Sequence, residues 1–176
     1  MKKGGTGGNK TLSGSEFEKK SSLENLFKSI LGYELKDDTV YYKKSKVAHY
    51  YLKYDFYSKF LKSNNIYWKE IITSRLVPDE AILVHKIMTM FIVEIKYQGD
   101  TGSADEKLQT CRFKTKQYKK LLKPLNIDVK YVYVLNDWFR RPKYRDVLEY
   151  IHQVGCYYFF NELPLKFLNL PRPRVS

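Results

Sequence analysis

The residues best suited to chemistry stand at the end of one apolar, strand-like run. From Met90 to Gln98 the side chains alternate with the β period, so that Glu94 and Lys96 project from the same face. Charged groups that end an apolar strand are costly to bury without partners. Their presence here therefore indicates a site in which other charged or polar groups contact them. Asp79 begins the run expected to pair alongside, and in an in-register hairpin its carboxylate approaches that of Glu94.

The carboxylates of Asp79 and Glu94 predict a divalent metal site. Two neighbouring carboxylates repel each other unless a cation lies between them. Mg²⁺ is the natural ion because it is hard, takes oxygen ligands and retains several waters. The backbone carbonyl of Ile95 is a candidate third ligand. Lys96 beside such an ion would hold an attacking water, or stabilise negative charge developing on a phosphate. These are the parts needed to hydrolyse a phosphodiester.

The same residues resemble a known superfamily. Pro78-Asp79, followed after fourteen residues by Glu94-Ile95-Lys96, is similar to the motif of PD-(D/E)XK nucleases. Three longer stretches resemble a group of type II restriction endonucleases. They are Glu94 to Gln98, the later segment 102–110, and the glycine-rich residues that lead into 14–18.

The resemblance implies roles for individual residues. Asp79 and Glu94 would bind Mg²⁺, Lys96 would be the catalytic lysine and Gln98 would support the site. A glutamate of the first helix would be an auxiliary acid, and the family pattern favours Glu18.

The helical periodicity leaves the choice of auxiliary acid open between two glutamates. On a helical wheel Glu16 shares the face of Leu23 and Phe27. Glu18 lies on another face, with Ser22, Asn25 and Ser29.

The resemblance also implies an activity. It indicates a Mg²⁺-dependent, sequence-specific endonuclease of double-stranded DNA, which leaves 5′-phosphate and 3′-hydroxyl ends. We expect a homodimer that cuts both strands of a palindrome, with a cognate DNA methyltransferase as a separate protein. Two alternatives remain. One is a repair nicking enzyme or Holliday-junction resolvase of the same superfamily. The other is a non-catalytic DNA-binding module whose acidic pair is structural.

Composition agrees with a polyanionic partner. The 176 residues include 32 Lys and Arg against 19 Asp and Glu, a formal net charge of +13. Such a surplus attracts nucleic acid. The sequence shows no secretory signal and no apolar run long enough to span a membrane, and its two cysteines suit a reducing compartment. We therefore expect a cytoplasmic protein with no membrane partner. The three histidines lack metal-ligand spacing.

Periodicity predicts an α/β (α+β) fold. Helices are expected over 14–31, 54–61, 104–123 and 144–154, and strands near 40–42 and over 81–84, 88–97, 129–135 and 156–160. This order predicts a central mixed β-sheet flanked by helices, and the resemblance specifies a restriction-endonuclease-like core. Residues 1–12 are expected to be a flexible segment and 13–176 a single nuclease domain. Within it, the tyrosine- and lysine-rich stretch 45–70 is a candidate target-recognition insertion.

Overall fold

The computed structural model describes residues 13–99 and 104–173. The expected flexible segment 1–12 lies outside these residues. Five α-helices and seven strands are present in the described part of the chain. The helices are α1 Gly14–Ser21, α2 Leu23–Ser29, α3 Ala104–Leu108, α4 Cys111–Leu122 and α5 Arg145–Gln153. The strands are β1 Tyr33–Lys36, β2 Thr39–Tyr42, β3 Ser45–Leu52, β4 Glu80–Val84, β5 Thr89–Lys96, β6 Asp128–Leu135 and β7 Tyr157–Phe160.

The seven strands form one mixed sheet in chain order, from β1 to β7. Strands β1 to β5 pair antiparallel, whereas β5, β6 and β7 are parallel. Helices α3 and α4 connect β5 to β6, and α5 connects β6 to β7. This arrangement confirms the predicted mixed sheet flanked by helices.

Each face of the sheet has its own apolar core, and β5 shows why. Met90 and Ile92 belong to the core under α4 and α5, whereas Phe91, Val93 and Ile95 belong to the core under α1 and α2. The alternation predicted for this strand is therefore confirmed, and it assigns Glu94 and Lys96 to the α4 face.

The structure corrects two predicted helices, each of which is divided. The first helix is interrupted at Ser22, whose backbone is extended and whose side chain accepts a hydrogen bond from the backbone N–H of Asn25. The helix predicted over 104–123 is interrupted before α4, where the hydroxyl of Thr110 donates to the carbonyl of Lys107 over 2.7 Å. Serine and threonine side chains that bond to nearby backbone groups compete with continued helix.

Strands β1 and β3 were not predicted. Residues 45–52, expected to begin an insertion, form an inner strand between β2 and β4. Of the stretch 45–70, only the part after β3 lies outside the sheet, in the segment that connects β3 to β4. It contains a π-helical turn at Phe56–Leu61, where a helix was predicted, and a 3₁₀ turn at Trp68–Glu70.

None of the helices in the described ranges combines the length and the apolar character that crossing a bilayer requires.

Candidate active site

The β4–β5 hairpin brings Asp79 and Glu94 to the same edge of the sheet. Glu80 pairs with Val93, so the register places Asp79 beside Glu94. The Oδ2 atom of Asp79 accepts a hydrogen bond from the backbone N–H of Ile95 over 2.8 Å. This bond fixes the Asp79 carboxylate against the strand that carries Glu94 and Lys96, as the in-register hairpin predicted.

The ammonium of Lys96 contacts all three candidate oxygen ligands of the site. Its Nζ atom lies 2.7 Å from Oε2 of Glu94, 3.3 Å from Oδ2 of Asp79 and 3.4 Å from the carbonyl oxygen of Ile95. Burial would lower the pKa of Lys96, but the charges of Glu94 and Asp79 outweigh it and hold that pKa above its ordinary value. Lys96 is therefore protonated at neutral pH.

A second lysine, which the sequence reasoning did not select, completes the charge balance. The Nζ atom of Lys114, in α4, lies 3.2 Å from Oε1 of Glu94, so each oxygen of this carboxylate holds an ammonium. The side chain of Glu94 is only 5% exposed, and burial strengthens such contacts. Lys114 precedes the buried Tyr118 by one turn on the same helix face, and this spacing is the signal in the sequence for its inward position.

Helix α1 brings Glu18 to a cavity on its own side of the sheet, which shares Asp79 and Ile95 with the Lys96 cluster. This cavity of about 270 Å³ is also lined by Glu80 and Tyr50, and Glu94 and Lys96 are not part of its lining. The helix is held on β5 by contact of Phe17 with Tyr97, whose ring centroids lie 5.8 Å apart.

Glu16 has a different task. Its Oε2 atom accepts the backbone N–H of Ser13 over 2.7 Å in a capping box, which confirms the predicted helix start. These hydrogen bonds lower the pKa of Glu16. Of the two open candidates for the auxiliary acid, Glu18 is therefore the one that lines the cavity.

Gln98 lies two residues beyond Lys96, and its backbone is held in place by Asn136. The side-chain oxygen of Asn136 accepts the N–H of Gln98 over 3.1 Å, and its amide donates to the Gln98 carbonyl over 2.9 Å. Asn136 follows β6 directly, so it joins the ends of two parallel strands at the site.

Glu80 is a buried acid next to Asp79, and the sequence reasoning gave it no separate role. It points to the opposite face of the sheet, where both of its oxygens accept the backbone N–H of Leu23 over 3.1 and 3.0 Å. Its Oε1 atom also accepts the hydroxyl of Tyr50 over 2.7 Å. Burial raises the pKa of Glu80 to about 7 against the opposing effect of these hydrogen bonds. Glu80 therefore attaches the start of α2 to β4.

The oxygens around Lys96 fit a hard divalent cation. No group of three or more His, Cys, Asp and Glu residues that could hold a metal is found in the described ranges. The set here instead combines two carboxylates with one backbone carbonyl, and all three already lie within 3.4 Å of one positive nitrogen. Oxygen ligands of this kind are those that Mg²⁺ takes, with waters completing its shell.

Comparison of the chain with protein-family models, with curated proteins and with solved structures finds no match. The interpretation of the site therefore depends on the chemistry of its own residues.

Proposed function

We propose that the protein is a Mg²⁺-dependent, sequence-specific endonuclease of double-stranded DNA, of the type II restriction kind. The observation that carries the proposal is the convergence of Asp79, Glu94 and the Ile95 carbonyl on the ammonium of Lys96. Acidic and basic groups held within 3.4 Å of one another at a sheet edge are the parts that phosphodiester hydrolysis requires. The formal charge of +13 supplies attraction for DNA.

Each residue has a defined task in this proposal. Asp79, Glu94 and the Ile95 carbonyl would hold Mg²⁺, which supplies a polarised phosphate oxygen and an activated water when bound. Lys96 would give up its contacts with the carboxylates and orient the attacking water. Lys114 would balance negative charge that develops on the phosphate.

The overall reaction is a hydrolysis. Water would add to phosphorus in line with the leaving 3′ oxygen, and the P–O3′ bond would break. The water's hydroxyl would remain on phosphorus, and a proton would pass to the 3′ oxygen. The products are 5′-phosphate and 3′-hydroxyl ends.

The proposal extends to the fold type and the biological setting. The antiparallel β4–β5 hairpin with the parallel strand β6 beside it supports a restriction-endonuclease-like core. A homodimer would cut both strands of a palindrome. A separate cognate DNA methyltransferase follows from the proposed activity, because host DNA must be protected. A cytoplasmic location, where foreign DNA would be met, is part of the same proposal.

One observation favours a second candidate, a non-catalytic DNA-binding module. Both oxygens of Glu94 are held by lysines, so two carboxylates and two ammoniums already balance without a metal. A purely structural ion network has the same appearance.

Cleavage of DNA separates these candidates. The full chain is incubated with linear duplex, supercoiled plasmid and a four-way junction in Mg²⁺, Mn²⁺ or EDTA, and the ends are sequenced. The proposal expects discrete bands from linear duplex with either metal, none in EDTA, and ends that a ligase rejoins. Absence of cleavage in both metals supports the module. Preference for the junction supports a resolvase, and single-strand nicks alone support a repair enzyme.

A further inference from the structure

Arg75 lies among three aromatic rings, in the segment that connects β3 to β4. Its guanidinium carbon is 4.9 Å from the ring centroid of Tyr54, 5.6 Å from that of Trp68 and 5.7 Å from that of Tyr57. We call Arg75 with these three rings the Arg75 platform. Contact with ring faces holds a guanidinium in place while leaving its N–H edges available.

The donors of Arg75 are not used within the protein. Its side chain makes no hydrogen bond or ion pair with any residue that the structure describes. By contrast, the guanidinium of Arg140 donates to Asp137 and that of Arg145 to Asp146. An exposed arginine that is oriented by rings but lacks an acceptor is suited to an external acceptor with fixed geometry.

The platform is anchored rigidly to the protein core. The hydroxyl of Tyr57 donates to the carbonyl of Leu76 over 2.7 Å and accepts the N–H of Leu76 over 3.0 Å. The hydroxyl of Tyr118, in α4, donates to the same carbonyl over 2.8 Å. Arg75 is therefore attached to a residue held from two directions, which limits the entropy lost when its side chain binds.

The platform also adjoins the candidate active site. The backbone N–H of Lys53 donates to the carbonyl of Asp79 over 3.2 Å, and Lys53 lines the same cavity as Asp79 and Glu18. Tyr54 is the next residue, is 55% exposed and packs against Arg75. A duplex whose phosphate lies at Lys96 would thus pass close to the platform.

We infer that the Arg75 platform reads a guanine of the duplex beside the scissile phosphate, by two hydrogen bonds from the Arg75 guanidinium to the guanine edge. This inference rests on the proposed function. Arginine paired with guanine O6 and N7 is the commonest specific contact in protein–DNA complexes. The overall surplus of Lys and Arg supplies sequence-independent attraction, whereas the planar guanidinium of Arg75 supplies the geometry for a specific contact.

Selection of binding sites tests the inference without requiring cleavage. Full-length wild type, Arg75→Ala and Arg75→Lys are each equilibrated with a randomised duplex library in Ca²⁺, and the bound DNA is sequenced. Arg145→Ala is the matched control, because it removes an exposed arginine whose acceptor is in the protein. Thermal melting checks that each variant is folded.

We expect wild type and Arg145→Ala to enrich the same motif, which contains a G·C pair. Arg75→Ala should lose about tenfold or more of the discrimination at one such pair while keeping the rest of the motif. Arg75→Lys should resemble Arg75→Ala, since lysine keeps the charge but loses the fork.

Several results would overturn the inference. The first is that the wild type enriches no motif, and the second is that Arg75→Ala discriminates between sequences as well as the wild type. The third is that Arg75→Ala binds all sequences equally more weakly, with a shallower salt dependence. The last result would identify Arg75 as a phosphate contact. The cleavage assay distinguishes a failure of this inference from a failure of the proposed function. A chain that binds its motif but cuts no DNA contradicts the proposed function alone. A chain that cuts DNA with a specificity that does not depend on Arg75 contradicts this inference alone.

Discussion

Two acidic sites lie back to back on the β4–β5 hairpin, and they solve the burial of a carboxylate in different ways. Glu94 faces α4 and is satisfied by the flexible ammoniums of Lys96 and Lys114. Glu80 faces α1 and α2, and is satisfied by a backbone amide and a tyrosine hydroxyl. Both carboxylates are almost fully buried.

The difference lies in what can be exchanged. The ammoniums around Glu94 are on long side chains that remain 23% and 24% exposed, so a phosphate can bind them and a metal can replace them on the carboxylate. The donors around Glu80 are fixed in the fold and have no substitute. The comparison assigns chemistry to the Glu94 face and attachment of the helices to the Glu80 face.

The largest expected effect is on the Glu94 face. Lys96→Ala should reduce DNA cleavage about 100- to 1000-fold, because the charge that orients water and stabilises the phosphate is lost. DNA affinity, measured by fluorescence anisotropy, should change little. Lys119→Ala, on the outer side of the same α4 helix, is the control and should cleave normally. Equal activity of the two variants would break the assignment of chemistry to this face.

The next effect is on stability and concerns the other face. Glu80→Ala should lower the free energy of unfolding by about 3 kcal/mol, because the amide of Leu23 and the hydroxyl of Tyr50 lose their acceptor in a buried place. Glu80→Gln retains an acceptor and should cost about 1 kcal/mol. Urea unfolding measures both. If Glu80→Ala unfolds like wild type, the attachment of α2 does not depend on this carboxylate.

A smaller effect should combine both readouts. Lys114→Met keeps the apolar stem but removes one of two ammoniums from Glu94, so cleavage should fall about tenfold and stability by about 1 kcal/mol. Cleavage rates and urea unfolding of the same preparation test this. Unchanged cleavage with reduced stability would make Lys114 a structural partner only.

The smallest expected effects concern the two glutamates of α1, which should separate an effect on cleavage from an effect on stability. Glu18→Gln should slow cleavage about fivefold through the loss of a charge at the cavity rim, with no change in melting temperature. Glu16→Gln should instead lower the melting temperature slightly through the loss of the capping box, with normal cleavage. Reversal of this pattern would transfer the auxiliary role to Glu16.

The sequence was most informative where structure is local. The alternation along β5 and the short link between β4 and β5 predicted that Asp79, Glu94 and Lys96 share a face and an edge, and the structure confirms it. The start of the first helix at residue 14 was likewise predicted, and the capping box at Ser13 that fixes it involves only neighbours in the chain. These features depend on periods of two and of 3.6 residues, which a sequence displays directly.

Features that depend on distant packing could not be predicted. Glu80 accepts from Leu23, 57 residues away, and nothing in its neighbourhood distinguishes it from an ordinary strand residue. Strand β3 contains lysine, histidine and alanine and lacks clear alternation of apolar and polar residues. The sequence therefore did not indicate that this segment is a strand that pairs with β2 and β4. Lys114 was the nearest to being found, because the helical wheel aligns it with Tyr118.

Metal binding by the wild type and two variants tests the central claim most directly. Mn²⁺ is titrated into the full chain without DNA, and bound ion is counted by electron paramagnetic resonance. We predict one ion per chain in wild type, loss of that ion in Glu94→Gln, and binding at least as tight in Lys96→Ala, whose ammonium no longer competes for the three oxygens. Identical binding in wild type and Glu94→Gln, or none in Lys96→Ala, would contradict a metal centre formed by Asp79, Glu94 and Ile95.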